Sequence, residues 1–522
     1  MPFRDQYKAK MQPKPDIVEV VDVNFNHWYH ALFAILVALA LLPLVLPRSQ
    51  SALGVLRDLQ SVYLSALMIV IAVMMASSSL YACYQACKLQ ANLGKDALAD
   101  ACSGSEIHSL LHLVIITVYR EPLDLITLTL DSLANQTKAR SLAVTLAFEQ
   151  DSPNLEANVA AIQLLFADSF YRLFIFVHPN GLFGETQGKC SNLNYAARST
   201  VAALSKEMSL DFKKTTITSC DADNLFCRKY FEILESSYLN RPDRLSTMWQ
   251  APLVYSWGLD VMPIFTYITG VLRSIWIVGI LIPLGLNGMS VFSLSLDLYH
   301  RGGYTSSIYQ MEDILSTIRW SILTGSKVKL SHLKAPILSG PTSGKNLFEQ
   351  FTQWRDQITR WTIGAAEVYA YALHYSRQSS LSVFSLTTWL LCFFLFYFIL
   401  QCAAPVALTI GFARVSLFDS NLTYTHLFMS DDTLASFFRW WLLSLFVINA
   451  VVAWAVCLLS QGIGIKENIV AVFAKLIFAP PVMALSSLIS LVALGRVALY
   501  GKAACVHIPS AKGSLPTNIQ LH

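Results

Sequence analysis

Three short motifs in this chain combine residue types that can do chemistry: Asp221-Ala222-Asp223, Glu312-Asp313 and Gln357-Ile358-Thr359-Arg360-Trp361. The first follows Thr215-Thr216-Ile217-Thr218-Ser219, a β-branched run that reads as a buried strand. In extended chain, residues two apart point the same way, so Asp221 and Asp223 can reach one divalent cation, which would neutralise a diphosphate. The bare pattern also occurs in surface turns, and its place after a buried strand favours the metal reading. Glu312-Asp313 opens a segment, 314–323, with helical character. An acid there can simply complement the helix dipole, or Asp313 can be a general base that deprotonates an acceptor hydroxyl. The third motif lies in an amphipathic stretch, 348–371, where helical spacing puts Gln357, Arg360 and Trp361 on one face. The arginine can clamp a diphosphate with paired hydrogen bonds and the tryptophan can carry a sugar ring. The same pair would also anchor a helix at a bilayer surface.

These motifs need a scaffold. Residues 113–118 form a continuous apolar run with the character of a buried parallel strand. Residues 122–136 have helical spacing, and 142–148 form a second strand ending in Glu149-Gln150-Asp151-Ser152. Strand, helix, strand with polar residues at the strand ends describes a doubly wound nucleotide-binding half, which binds ligands off the carboxyl ends of its strands. His178 reads as a loop residue. Trp249, Trp257 and Trp276 read as core or interface residues, one of which could line an acceptor groove. The glycines between Gly181 and Gly188 lack phosphate-loop spacing.

Of the 522 residues, 54% are hydrophobic and only 14% charged, well under the roughly 25% charge usual in soluble domains. The deficit falls in long runs toward the two ends, as membrane spans do. Expected spans cover 31–47, 62–83, 379–413, 440–460 and 476–495. Pro405 is expected to break the third into a helix and a re-entrant or tilted piece. The apolar run 274–296 lies between the acidic motifs. Crossing there would put them on opposite faces of the membrane, so it reads as buried core or an interfacial helix loosened by Gly285 and Gly288. A net charge of +4 is too mild to suggest nucleic acid. The ten cysteines lack CxxC spacing and indicate neither a disulfide framework nor a zinc site. The polar segment through Glu19 does not read as a cleavable signal peptide. Lys8, Lys10, Lys14, Lys88, Lys95 and Arg377 flank the spans and predict a cytosolic catalytic region, with the Asn421 sequon facing outward.

Taken in order and flanked by membrane helices, the three motifs resemble family 2 glycosyltransferases of the cellulose, chitin and hyaluronan synthase type, over residues 113–364. Gly188-Lys189-Cys190-Ser191-Asn192-Leu193-Asn194 is similar to that family's lysine-asparagine segment near the nucleotide. Glu149-Gln150 stands where an acidic pair is usual, and Met311 where a threonine is. These differences, with Tyr119-Arg120-Glu121-Pro122 and Gly340-Pro341-Thr342-Ser343-Gly344, set the chain apart from the known synthases.

The resemblance implies an α/β GT-A catalytic domain plus a helical transmembrane region, an inverting mechanism, a UDP-sugar donor and Mg²⁺ or Mn²⁺. Lys189, Asn192, Glu149, Asp221, Gln357 and Arg360 would bind the nucleotide-sugar. Asp221 and Asp223 would hold the metal, Asp313 with Glu312 would be catalytic, and Trp361 would face the acceptor.

The expected organisation is a cytosolic segment (1–26), a transmembrane hairpin (27–88), the GT-A domain (107–346), an interfacial helix with QxxRW (347–375), transmembrane helices (379–500) and a tail (501–522). The expected function is elongation of a polysaccharide, processive and coupled to export, in the plasma membrane or that of the Golgi or ER. Single-sugar transfer to a lipid acceptor is the alternative within the same chemistry. A membrane transporter or a catalytically inactive scaffold are the alternatives of other classes.

Overall fold

A computed structural model describes residues 26–45, 54–93, 110–255, 262–340, 346–375, 379–418, 433–461 and 466–501. Lys8, Lys10, Lys14, Arg48, Lys95, Trp257, Arg377, the Asn421 sequon, Lys502, Lys512 and the segment after Gly340 lie outside the described residues.

The strands are β1 (Leu111–Val118), β2 (Leu142–Glu149), β3 (Arg172–His178), β4 (Thr215–Asp221), β5 (Asn224–Phe226), β6 (Thr247–Gln250), β7 (Leu253–Val254), β8 (Phe292–Ser295), β9 (Lys329–His332) and β10 (Ile337–Ser339). Seven form one sheet in the order β3-β2-β1-β4-β8-β6-β9, and a small sheet pairs β5-β10-β7. Strands β3, β2, β1 and β4 are mutually parallel, whereas β8 runs antiparallel to both β4 and β6. This is the α/β fold expected from the sequence. The chain order reverses beside β1, whose neighbours are β2 and β4, and that crevice is where doubly wound sheets bind ligands.

The apolar run of β1 follows from having both faces covered. Leu113 and Ile115 pack with Leu193, Ala196 and Ala197 of the Lys189–Glu207 helix. Val114, Ile116 and Val118 face the opposite way, into a core shared with Leu130, Leu133 and Ile162. A strand buried on both sides has no polar face to alternate with. The register sets Thr117 beside Asp221, which brings the carboxyl ends of β1 and β4 level.

Five helices are long and apolar enough to cross a membrane: Val62–Ala91, Ile264–Leu284, Val383–Gly411, Arg439–Gln461 and Ala479–Tyr500. A shorter apolar helix covers Tyr29–Val45. Two expectations are corrected here. Residues 383–418 are helical throughout, so Pro405 does not break the segment. The turn before it, Leu395–Ala403, is wound as a π-helix. Proline cannot pair with the carbonyl four residues back, and that carbonyl, of Gln401, accepts the Ser487 hydroxyl at 2.6 Å instead. The 274–296 run is also not one element. A helix ends at Leu284, and Phe292–Ser295 is a strand in the middle of the main sheet. Because β6 before the helix and β8 after it are hydrogen-bonded to each other, the single helix between them cannot carry the chain across a membrane.

That helix nevertheless locks the α/β domain to the long apolar helices. Gly279 lies so close to the Val62–Ala91 helix that an added Cβ would sit 2.3 Å from the Ser78 carbonyl oxygen. Overpacking of this kind typically costs about 1–3 kcal/mol. Gly279→Val is therefore expected to lower the thermal unfolding midpoint of the detergent-purified protein. An unchanged midpoint would show that the two helices can part without loss.

Candidate active site

The centre of the site is the Lys189 side chain, at the start of the Lys189–Glu207 helix. Its ammonium lies 2.6 Å from Asp221 Oδ1 and also pairs with Glu312 Oε1. Asp221 comes from the end of β4, and Glu312 from the first turn of the Glu312–Thr324 helix. Burial disfavours charge on Lys189, but Asp221, Glu312 and Asp313 outweigh it and raise the ammonium well above its ordinary range. Burial raises the Glu312 carboxyl to about 7; Lys189 opposes the shift, whereas Asp313 and Asp221 add to it. Cys190 is buried beside Glu312, with its thiol pushed up by burial and by that carboxylate.

Ser290 ties the two acidic motifs together. Its hydroxyl donates to Asp221 Oδ2 at 2.5 Å, and its backbone N–H donates to Asp313 Oδ2 at 3.0 Å. Asp313 Oδ1 also accepts the Ile314 N–H at 2.8 Å, so the carboxylate is held in one orientation. Ser290 has a left-handed backbone, φ 48°, uncommon for a residue other than glycine, asparagine or aspartate. It immediately precedes Val291 and β8. Sequence reasoning passed over it; a serine just ahead of a strand carries no distinctive signal.

Asp221 and Asp223 do not sit in extended chain, as the sequence suggested. β4 ends at Asp221, and a turn held by the Asp221 N–H to Asn224 Oδ1 bond (2.8 Å) leads into β5. Asp223 is buried at 1% exposure, its backbone carbonyl accepting the Gly340 N–H at 3.2 Å. Both carboxylates act on Tyr255. Burial raises that phenol, Arg273 opposes the rise, and Asp221, Asp223 and Asp313 reinforce it. Among the described residues no group of three or more His, Cys, Asp or Glu side chains could hold a metal. Two carboxylates completed by substrate oxygens suit a hard cation such as Mg²⁺, which seldom takes an all-protein cage.

The QxxRW motif lies on the Leu347–Tyr375 helix. Gly364 lets this helix reach the acidic pair: an added Cβ would sit 2.1 Å from Met311 Cγ, immediately before Glu312. Met311 is thus a packing residue here. Arg360 is drawn into the same field. Burial holds its guanidinium below the ordinary range against the pull of Asp221, with Arg273 pushing the same way and Asp313 and Glu312 the other. Gln357 is half-buried one turn earlier. Trp361 carries an unexpected neighbour. The Arg273 guanidinium lies over its ring, 3.5 Å from the centroid, and 5.5 Å from the centroid of Tyr255. Arg273 is the only charged residue in Ile264–Leu284, a legible signal that sequence reasoning missed.

Two other expected nucleotide ligands have partners within the protein. Asn192 is buried, and its side-chain amide donates to the Ala147 carbonyl at 2.7 Å. Glu149 is buried at the end of β2, 3.3 Å from His178 Nδ1. His178 is the last residue of β3 rather than a loop residue, and its Nε2 lies 2.9 Å from Glu185. Trp249 is core, and the Trp276 indole N–H points at Met75 Sδ (3.3 Å).

No protein-family profile and no curated protein matches the sequence. Solved structures similar to this chain include a mannosyltransferase from Pyrobaculum calidifontis, PcManGT, in complex with GDP-Man and Mn²⁺. The identity is 13% and the TM-score 0.44, covering 84% of this chain and 99% of that one. Another is S. aureus TarS 1-349 in complex with UDP-GlcNAc, at 11% identity and TM-score 0.31, covering 75% of this chain and 91% of that one.

The Glu149–His178–Glu185 cluster has a measurable signature. Burial lowers the imidazole, but hydrogen bonds and charge from both glutamates prevail and raise it to about 9, above the ordinary 6.5. A raised histidine contributes stability fully below pH 6.5 and loses it as pH rises through 9. The thermal midpoint should fall across that window, with a slope of at most about 1.4 kcal/mol per pH unit from this group. Glu149→Gln should flatten the fall; an identical profile would show that His178 is neutral in the folded state.

Proposed function

We propose that this chain is a membrane-bound inverting glycosyltransferase that moves a sugar from a nucleoside-diphosphate sugar to an acceptor hydroxyl on the cytosolic side. The observation that carries this reading is the convergence of Lys189, Asp221, Glu312, Asp313 and Arg360 at one crevice, from four segments far apart in sequence. A structural role would not need two cations and three carboxylates brought together in a half-buried place, because such burial is costly unless each charge has a task or a partner.

In the proposed reaction Asp313 accepts the proton of the acceptor hydroxyl. The hydroxyl oxygen attacks the anomeric carbon, the bond from that carbon to the diphosphate oxygen breaks, and the nucleoside diphosphate leaves with the electron pair. Ser290 and the Ile314 N–H hold the base in place. Lys189 and Arg360 would stabilise the negative charge that develops on the leaving group, the largest kind of catalytic contribution. Asp221 and Asp223 would hold a divalent cation, Mg²⁺ or Mn²⁺, which when bound supplies further neutralisation of the diphosphate. Glu312 sets the charge and position of Lys189. Gln357 supports Arg360 from the preceding turn. With Glu149 and Asn192 engaged inside the protein, they act on the donor by shaping its pocket.

The family resemblance favours a growing polysaccharide as acceptor, with processive elongation and export between the helices. Single-sugar transfer to a lipid is the second reading. The guanidinium over Trp361 favours it, because it occupies a ring face that a polymer's terminal sugar would use.

The test is nucleoside diphosphate release by detergent-purified protein with Mn²⁺ or Mg²⁺ across a panel of UDP- and GDP-sugars. Asp313→Asn is expected to lose 10²- to 10⁴-fold, the usual worth of a general base. Activity equal to wild type would remove Asp313 from the mechanism. Ser290→Ala, which frees Asp221 from one hydrogen bond, is expected to raise the donor KM and lower turnover by roughly tenfold, about the net worth of a bond to a charged group. Unchanged kinetics would make Ser290 a bystander.

A further inference from the structure

Arg273 is the cation in this site that the proposed reaction leaves without a task. Its Nε is buried with no hydrogen-bond partner, and the contact of its Nη2 is a thioether, Met289 Sδ, at 3.9 Å. No carboxylate among the described residues forms an ion pair with it. Stacking on Trp361 fixes the guanidinium plane but uses none of its five N–H donors. Arg360 lies near enough to add like-charge repulsion. Two guanidinium groups gathered in one crevice, one with its donors unspent, form a receptor for an anion.

The position of Arg273 says which reactant supplies that anion. Lys189 and Asp221 lie on the donor side of the site, at the end of β4. Arg273 stacks on Trp361, the residue that the family resemblance assigns to the acceptor, and reaches Met289, whose neighbour Ser290 holds Asp313. The helix that carries Arg273 packs on the apolar Val62–Ala91 and Arg439–Gln461 helices, with Ala82, Cys83, Val452 and Val456 in the same buried cluster as Val271 and Ile275. An anion reaching Arg273 from that direction would be attached to a lipid.

We propose that Arg273 binds the phosphoryl headgroup of a lipid-linked acceptor, selecting it by charge where a polysaccharide synthase would select by stacking on Trp361. The inference rests on reading this crevice as a glycosyltransferase site, but its test is separate. Farnesyl phosphate and farnesol serve as probes, with binding to the purified protein in detergent measured by native mass spectrometry. Wild type is expected to bind the phosphate at least tenfold more tightly than the alcohol. Arg273→Gln should abolish that preference, and Arg273→Lys should keep part of it. Either no preference in wild type or an undiminished preference in Arg273→Gln would overturn the proposal.

Binding of GDP and UDP with Mn²⁺ is measured on the same samples. If Arg273→Gln weakens nucleotide binding and spares the lipid preference, the arginine serves the donor and the acceptor assignment is wrong. If wild type binds the lipid phosphate with the expected preference but neither nucleotide, the glycosyltransferase reading fails while Arg273 stands as a lipid-phosphate residue. A monodisperse gel-filtration profile for Arg273→Lys, with nucleotide binding intact, shows that the fold survives change at this position.

Discussion

One ammonium shared between two carboxylates organises this molecule. Lys189 stands between Asp221 and Glu312, in a place where water reaches it only partly. Leaving one of these charges without its partners would cost several kcal/mol, so the elements that deliver them are tied to one another. β4 supplies Asp221, a helix start supplies Lys189, and a second helix start supplies Glu312 and Asp313. Both helix starts point at the same crevice. An ammonium at a helix N-terminus is opposed by the dipole, while the acids at the other are favoured by it. The arrangement holds because the carboxylates outweigh the dipole at Lys189, which its raised ionisation range reflects.

Around that centre the packing is unforgiving. Met311 fills the space left by the missing side chain of Gly364, setting the QxxRW helix at a fixed depth over the acidic pair. Tyr29, in the first apolar helix, donates to the Ala366 carbonyl of the same QxxRW helix, and Thr362 reaches Ser490 at 2.9 Å in the last. Trp389 and Tyr397 of the 383–418 helix bond to the Leu286 carbonyl (2.9 Å) and Asn287 Oδ1 (3.0 Å), three or four residues before Ser290. The apolar helices therefore brace the charged cluster through the segments that carry it. The π-helical turn at Leu395–Ala403 belongs to this contact, since it includes Tyr397, and such turns recur at functional positions.

The Ile264–Leu284 helix connects the two halves of the design. It leaves the small sheet, runs along the apolar helices, and returns to the main sheet beside its own starting region. The return segment carries Met289 and Ser290, and the helix itself carries Arg273. A motion of the long apolar helices that shifted this element would move the partners of Asp221 and Asp313 together. The carboxyl ends of β2 and β3 are tied down differently, through the buried histidine between two glutamates. Two charged clusters, one central and one peripheral, thus fix the carboxyl edge of the sheet.

By itself the sequence determined what local patterns can encode. The apolar runs at 113–118 and 142–148 read as strands buried on both faces, as they are, and most of the long uncharged runs are helices of membrane-spanning length, the 274–296 run being the exception. The order of DxD, Glu-Asp and QxxRW marked the acidic pair and the arginine that the fold gathers. Tertiary structure decided everything that depends on partners distant along the chain. Sequence placed Asp221 and Asp223 in extended chain, but Asn224 turned it. Sequence expected Pro405 to break a helix, but Ser487 from another helix satisfied the carbonyl that proline leaves over. Glu149 and Asn192, expected from the sequence to touch a nucleotide, also bond to His178 and Ala147, which only the folded chain brings to them. Ser290 carried no signal because its contacts exist only in the fold, whereas Arg273, the one charge in an apolar helix, was legible although its neighbours were not. Local propensity acts over a few neighbouring residues, whereas a hydrogen bond or a stacked cation is fixed only when the chain has folded back on itself.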